Sequence, residues 1–308
     1  MPIRADNDII VRSPHNPLIN IHDIPGRCSD IWNAGVVRVG AEHLLLLTVE
    51  SLEGRSGIYK AHSYNGTHFT VEDRPLMSPD DSPSPYESLS IRDPRITFLD
   101  DCYYVVYLAE SEMGLRLAMA RTQDFQSVER LGCVTQPDVK NGALFPAKFD
   151  GSYALLERPN AANSIWMSFS ADLAFWGTPR VVMAPRGGYW DSDRIGAAAP
   201  PIAIEEGWLL LYYGEKITSA GPLVRLGAAV LDRQEPWKVL HRSNIPILSP
   251  REKYERVGDI PNVIFSCGAL LSEDGELRVY YGASDSCICM GAVPVEEVVA
   301  ICKNGRAF

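Results

Sequence analysis

The residues of this chain that could do chemistry sit where its apolar runs begin and end. Asn33, Asp93 with Arg95, Lys140 with Asn141, Arg194 and Asn262 open runs that are otherwise apolar. Glu50, Glu157 with Arg158, Tyr213 with Glu215, and Asp285 close the runs that follow them. Polar groups in such places are costly to bury unless satisfied, so a converging set implies a ligand or a mutual network. The residue types narrow the chemistry. Asp93, Asp285 and Glu50 can bind sugar hydroxyls and move protons. Lys140, Arg158 and Arg194 can hold a tetrahedral anion, because Lys and Arg are the usual phosphate partners. A carboxylic acid beside an anion clamp suits the transfer of a glycosyl group to phosphate. Taken singly, each position has a plainer reading: Asp93 before Pro94 is also a turn former, and Arg158 before Pro159 a solvated strand end. The inference rests on joint placement.

Joint placement needs a fold that gathers distant residues. One phrase recurs five times: an apolar run, a Gly or acidic turn, a second run rich in Tyr and Leu, then a run of small residues spaced by two. The second runs are clearest, at Leu44–Leu47, Tyr104–Tyr107, Tyr153–Leu156, Leu209–Tyr212 and Arg278–Tyr281. Repeats about 50 residues apart indicate a propeller or a solenoid, and period-two β runs with turn signals between them select the propeller. The expectation is an all-β, five-bladed propeller with a short C-terminal helix, forming one domain over 1–308. Its blades run from about Ile31 to Val71, Asp93 to Gly132, Asn141 to Val182, Arg194 to His241, and Pro261 to Met290. Residues 1–27 read as an arm along the body, and Arg74–Glu87, rich in Pro, Asp and Ser, as a loop. Val295, Val298, Val299 and Cys302 fall at helical spacing after Pro294 in the tail 294–308. The turns Ser63–Phe69, Thr122–Phe125 and Ser170–Trp176 resemble one another, and the aromatic after each turn reads as inter-blade packing in preference to a sugar platform. Asn65-Gly66-Thr67 has glycosylation spacing but reads more simply as a hairpin turn.

Composition removes several classes of partner. The 308 residues are 46% hydrophobic, enough for a sizeable core, and the net charge of -10 argues against nucleic acid or an anionic membrane. The start Met1–Asp6 lacks the apolar core of a signal peptide, and no apolar run approaches the ~18 residues needed to span a bilayer. Seven scattered cysteines read as buried small hydrophobes in a reducing cytoplasm, with Cys287 and Cys289 on one strand face. Six histidines form no metal-binding motif, so neither a metal nor another cofactor is expected.

Five segments, in this order and spacing, resemble glycoside hydrolase family 130, the β-mannoside phosphorylases and β-mannosidases, from Pro17 onward. They are Asp93-Pro94-Arg95-Ile96-Thr97, Leu156-Glu157-Arg158-Pro159, Gly207–Gly214, Val224–Asp232 with Pro246-Ile247-Leu248, and Pro261–Gly268 with Tyr281–Asp285. The resemblance implies that Asp93 is the general acid, its proton reaching the glycosidic oxygen through a hydroxyl of the bound mannose. It implies that Asn33 and Asp285 hold the mannose ring with Phe265 lining the subsite, and Glu50, Arg95 and Asn262 complete the sugar-binding set. It matches Lys140, Asn141, Arg158 and Arg194 to the phosphate-binding residues, with Tyr213 beside them. Phosphate would attack the anomeric carbon opposite the leaving group and give α-mannose 1-phosphate, with no base needed to activate it. A cytoplasmic homo-oligomer suits the family.

The chain departs from the family's pattern at Tyr213 and Glu157, where phosphorylases commonly carry His, at Thr48 in place of Arg, and at Arg92 in place of Glu. Glu157 and Glu215 bring negative charge towards the anion set, and either could serve as the base of an exo-acting inverting β-mannosidase. A carbohydrate-binding propeller without catalysis is a further alternative. Five-bladed furanosidase families would need another carboxylate triad and leave the cations unexplained.

Overall fold

The computed structural model describes residues 8–305. The expectations for Met1–Asp6 and for the last residues of the tail lie outside that range. Five antiparallel sheets follow one another along the chain. Blade one has strands Asp30–Val39, Glu42–Glu50, Ser56–Ser63 and Thr70–Met77. Blade two has Ser90–Leu99, Cys102–Ser111, Gly114–Thr122 and Glu129–Cys133. Blade three has Val139–Phe149, Ser152–Pro159, Ile165–Ser170 and Gly177–Met183. Blade four has Arg194–Ala197, Gly207–Thr218, Gly221–Leu231 and Val239–Arg242. Blade five has Ile264–Leu271, Glu276–Ala283 and Cys287–Pro294.

The second strand of each blade is apolar on both faces because the blade is sandwiched between two neighbours. Leu45, Leu46 and Leu47 are all 0% exposed. The alternation of a strand then sends odd and even residues to different seams. Leu44 and Leu46 pack on Ile96, Val105 and Tyr107 of blade two, while Leu45 and Leu47 pack on Tyr280 and Ile288 of blade five. Tyr104 and Val106 meet Leu144 and Leu155 of blade three. Phe145 and Leu156 meet Leu210 and Tyr212 of blade four, whose Leu209 and Leu211 meet Val279 and Tyr281 of blade five. Five such seams close a ring.

The described part of the arm, residues 8–27, does more than lie along the body. Val11–Arg12 pairs with the third strand of blade five and supplies its outermost strand, and Ile19–Asn20 pairs with the same strand further along. The closure is fastened by a buried ionic cluster. Arg12 donates from Nε and Nη2 to Glu255 (2.7 and 2.9 Å), Tyr281 Oη donates to Glu255 (2.9 Å), and Asp8 accepts from Arg12 and Arg251. The segment read as a loop from Arg74 is strand as far as Met77, so blade one ends there and not at Val71. Two short 3-10 turns follow, Pro79–Asp81 and Pro85–Glu87. Glu87 accepts from Ser82 within this stretch and pins it to blade two through Tyr107 and Arg130. The tail forms the expected helix, Val295–Lys303, burying Val298, Val299 and Cys302.

Candidate active site

The inner strands open on residues in the left-handed backbone region. Asn33, Asp93, Asn141 and Asn262 have φ of 44°, 58°, 55° and 62°. Asn and Asp tolerate this region better than other residues with a Cβ. In blades one to three the residue sits in a β-bulge, where the ladder slips between Trp32 and Ala34, Arg92 and Arg95, and Lys140 and Ala143. A bulge re-aims a side chain out of the regular alternation. Here it turns three chemically useful groups towards the same end of the ring.

Asp93 is held from four sides. Asn33 donates from Nδ2 to its Oδ1 (2.9 Å), and the Asp93 main-chain N–H donates to Thr48 Oγ1 (3.1 Å). Its carbonyl accepts from Arg95 Nη1 (3.1 Å), and Pro94 follows it. Gly282 is needed for this arrangement: a Cβ there would lie 2.6 Å from Asn33 Oδ1. Asp285 belongs to the same cluster. Burial, then the charges of Asp93, Asp259 and Asp30, push its carboxyl up to about 7. Burial and the neighbouring Asp30 likewise raise Glu50, and burial with Asp259 raises Asp30. One side of the mouth is therefore a crowd of carboxylates, in which Asp285, Glu50 and Asp30 hold their protons more tightly than free carboxyls do.

The other side is cationic. Arg158 is 2% exposed; its Nε donates to Asn141 Oδ1 (2.9 Å), which also accepts from Tyr213 Oη (3.0 Å). Arg158 Nη1 is buried and has no hydrogen-bond partner among the described residues. Burial lowers the Arg158 pKa, as does nearby Arg194, while Tyr213 and Glu215 oppose the shift. Lys140 is lowered by burial and by Arg92 and Arg158, and Asp93 pulls it the other way. Lys140 thus lies within electrostatic reach of both the acid and the arginine. Arg194 faces Glu215 across the ladder and pairs with it at 3.5 Å. Gly196 leaves room for the Tyr213 ring, since a Cβ would sit 2.5 Å from its Cε1. Phe265 packs against Tyr213 with the rings tilted at 44° and centroids 4.9 Å apart.

Two expected members of the site lie elsewhere. Glu157 shares its strand face with Leu155, which packs towards blade two, whereas Arg158 shares the face of Leu156 towards blade four. Glu157 lines an outer cleft with Trp166 and accepts from Ser168 Oγ, so it does not face the cations. Arg95, expected among the sugar-binding residues, is 1% exposed, and its donors go to main-chain carbonyls: Ala198 (2.8 Å), Ala197 (3.2 Å) and Asp93. It ties blade two to blade four and stiffens Asp93 from below. Sequence reading also missed Gly196 and Gly282, whose signal was only their place on strands flanking the polar positions, and Asp30 and Asp259, which shape the acidic side. Arg92, a departure from the family pattern, pairs with Glu110 and lowers the proton affinity of Asp285 and Glu50.

Comparison with known proteins agrees with this fold. A family model described as beta-1,4-mannooligosaccharide phosphorylase matches residues 7–304. The chain is 36% identical over 252 residues to a beta-1,2-mannobiose phosphorylase of Listeria innocua, covering 80% of this chain and 69% of that protein. It is 31% identical over 309 residues to a beta-1,4-mannooligosaccharide phosphorylase of Ruminococcus albus, covering 96% and 92%. The solved Listeria innocua beta-1,2-mannobiose phosphorylase in complex with beta-1,2-mannobiose superposes with a TM-score of 0.88 at 30% identity, over 96% of this chain and 99% of that one. On the span of the family match and the extent of these likenesses, the chain belongs to glycoside hydrolase family 130.

Proposed function

We propose that the chain, working as one catalytic propeller, is an inverting β-mannoside phosphorylase. It transfers a mannosyl group from a β-1,2- or β-1,4-linked mannoside to inorganic phosphate. The observation that carries phosphate as acceptor is Arg158, a buried guanidinium beside Lys140 that, among the described residues, has an unpaired N–H and no carboxylate bonded to it. A buried cation with a spare donor is costly unless an anion arrives. Water as nucleophile would need a carboxylate base on the same side. Glu157 faces another seam, and Glu215 is engaged by Arg194.

In this reading Asn33, Asp285, Glu50, Asn262 and Phe265 hold the mannose ring, and Lys140, Asn141, Arg158, Arg194 and Tyr213 orient phosphate. A phosphate oxygen bonds to the anomeric carbon as the bond to the leaving oxygen breaks. The proton of Asp93 passes through a sugar hydroxyl to that oxygen, and α-mannose 1-phosphate and the shortened sugar leave. The site needs no metal for these steps, and phosphate is a co-substrate. The test is release from β-1,2- and β-1,4-mannobiose with and without phosphate. The reading expects turnover only with phosphate and an α-configured sugar 1-phosphate; equal cleavage without phosphate, releasing free mannose, would overturn it.

A further inference from the structure

The outer cleft that receives Glu157 lies between blades two and three, back to back with the cationic side of the mouth. Its volume is about 610 Å³, within the size range of small-ligand sites. Three aromatics line it: Trp166, Trp176 and Phe175. Phe175 is 77% exposed, which the repeat does not explain. In the related turns the left-handed position after the Asx residue holds Gly66, Phe125 or Leu173, at φ of 75°, 54° and 67°. Phe125 packs between blades at 1% exposure, and Leu173 takes that place in blade three. Phe175 is therefore surplus to packing and stands over Gly177 at the rim of the cleft, its ring 3.4 Å from where a Cβ of Gly177 would be.

Polar groups in the cleft are under-satisfied as well. The Trp166 indole N–H is buried without an acceptor among the described residues. Glu157 accepts one hydrogen bond, from Ser168, and burial raises its pKa. Aromatic faces with an acceptor carboxylate and a spare donor are what a pyranose ring requires: apolar C–H faces for stacking, and hydroxyls that both donate and accept. A second protein copy would fit less well, because covering Glu157 with apolar surface adds desolvation without adding donors.

We propose that this cleft is a second, non-catalytic saccharide site that holds part of a mannan chain outside the propeller mouth, stacked on Phe175 and hydrogen-bonded to Glu157 and Trp166. The choice of sugar rests on the mannoside reading above. Mannotetraose, β-1,4- and β-1,2-linked in separate runs, is titrated calorimetrically into the full chain carrying Asp93→Asn to stop turnover. With at least one linkage, two sites per chain are expected. Adding Phe175→Ala or Trp166→Phe should leave one, or weaken the second at least tenfold. In the otherwise unaltered enzyme, Phe175→Ala should keep kcat/KM for mannobiose and phosphate within twofold, which separates this proposal from the catalytic one. A single site with both linkages would overturn it. So would a Phe175→Ala chain that changes from oligomer to monomer in sedimentation with its sugar stoichiometry unchanged. Failure to cleave mannobiose would instead sink the catalytic reading while the site count remains readable.

Discussion

Replacing Arg158 with Met separates the functional role of the guanidinium from any structural one. The change removes the Arg158 hydrogen bonds to Asn141 Oδ1 and to Tyr213, and those two groups keep each other as partners, Tyr213 Oη donating to Asn141 Oδ1 at 3.0 Å. No buried acceptor is therefore orphaned. What disappears is a cation whose Nη1 has no hydrogen-bond partner among the described residues. A hydrogen bond to a charged group contributes about 1.5–3 kcal/mol, so the KM for phosphate should rise about 10- to 150-fold. The stability effect runs the other way. Removing a desolvated, uncompensated charge is neutral to stabilising, so the phosphate-free variant should melt no lower than the parent, and up to a few degrees higher. Phosphate at a hundred times its Kd should add about 2.7 kcal/mol to the parent and little to the variant. Initial rates over a phosphate series and melting curves with and without phosphate measure both. A KM within threefold of the parent would refute the anion-binding role, and a sharp fall in phosphate-free Tm would show that Arg158 is part of the scaffold.

The remaining predictions concern the acid, its neighbour and the ring closure. Asp93→Asn should lower kcat by about 10²- to 10⁴-fold while mannobiose still binds, since the amide keeps the Asn33 contact but carries no transferable proton; calorimetry beside rate measurements decides this. Asp285 has a folded pKa of about 7 against an ordinary 3.8. Its contribution to stability is therefore full below about 3.8 and is lost as pH rises through about 7. Asp285→Asn should flatten that part of the stability–pH curve, and an unchanged slope would show that another group titrates there. Glu255→Ala strips Arg12 of a buried two-donor partner and should cost about 3–5 kcal/mol, read as a lower Tm and faster proteolytic cutting of the arm near Val11. An unaltered Tm would mean that pairing of Val11–Arg12 alone closes the ring.

The parts of the fold legible in the sequence are those buried on both faces. The second strand of each blade reads as a continuous apolar run because neighbours cover both sides, and five such runs fixed the blade number. The outermost strands were harder. Thr70–Met77 carries Glu72, Asp73, Arg74 and Pro75, which an edge strand tolerates because one side needs no ladder partner. That composition imitates a loop. Val11–Arg12 is too short for periodicity, and its partner Ala292 lies at the far end of the chain. Likewise, adjacency of Glu157 and Arg158 was read as shared location, although a strand sends neighbours to opposite faces.

The candidate site was legible for a different reason. Four of the inner strands open on an Asn or Asp held at positive φ, and blade four alone does not. It opens on Arg194 and then Gly196, whose missing Cβ admits the Tyr213 ring against Asn141. The same strand therefore contributes a cation and the space for a phenol where its counterparts contribute one amide or carboxylate. In a ring of equal blades each inner strand would offer the axis the same group, and only the ends of the second strands, with Glu50, Arg158, Glu215 and Asp285, would set a difference in charge across the mouth. The inner strands add to that difference where they break the repeat: blade two with Asp93 in place of Asn, blade three with Lys140 ahead of its Asn, and blade four with Arg194. A substitution restoring the repeat at one of these positions, such as Asp93→Asn, should leave the fold intact and remove one carboxylate while Asp285 and Glu50 stay in place, so a loss of activity would report on Asp93 itself and not on the charge of that side.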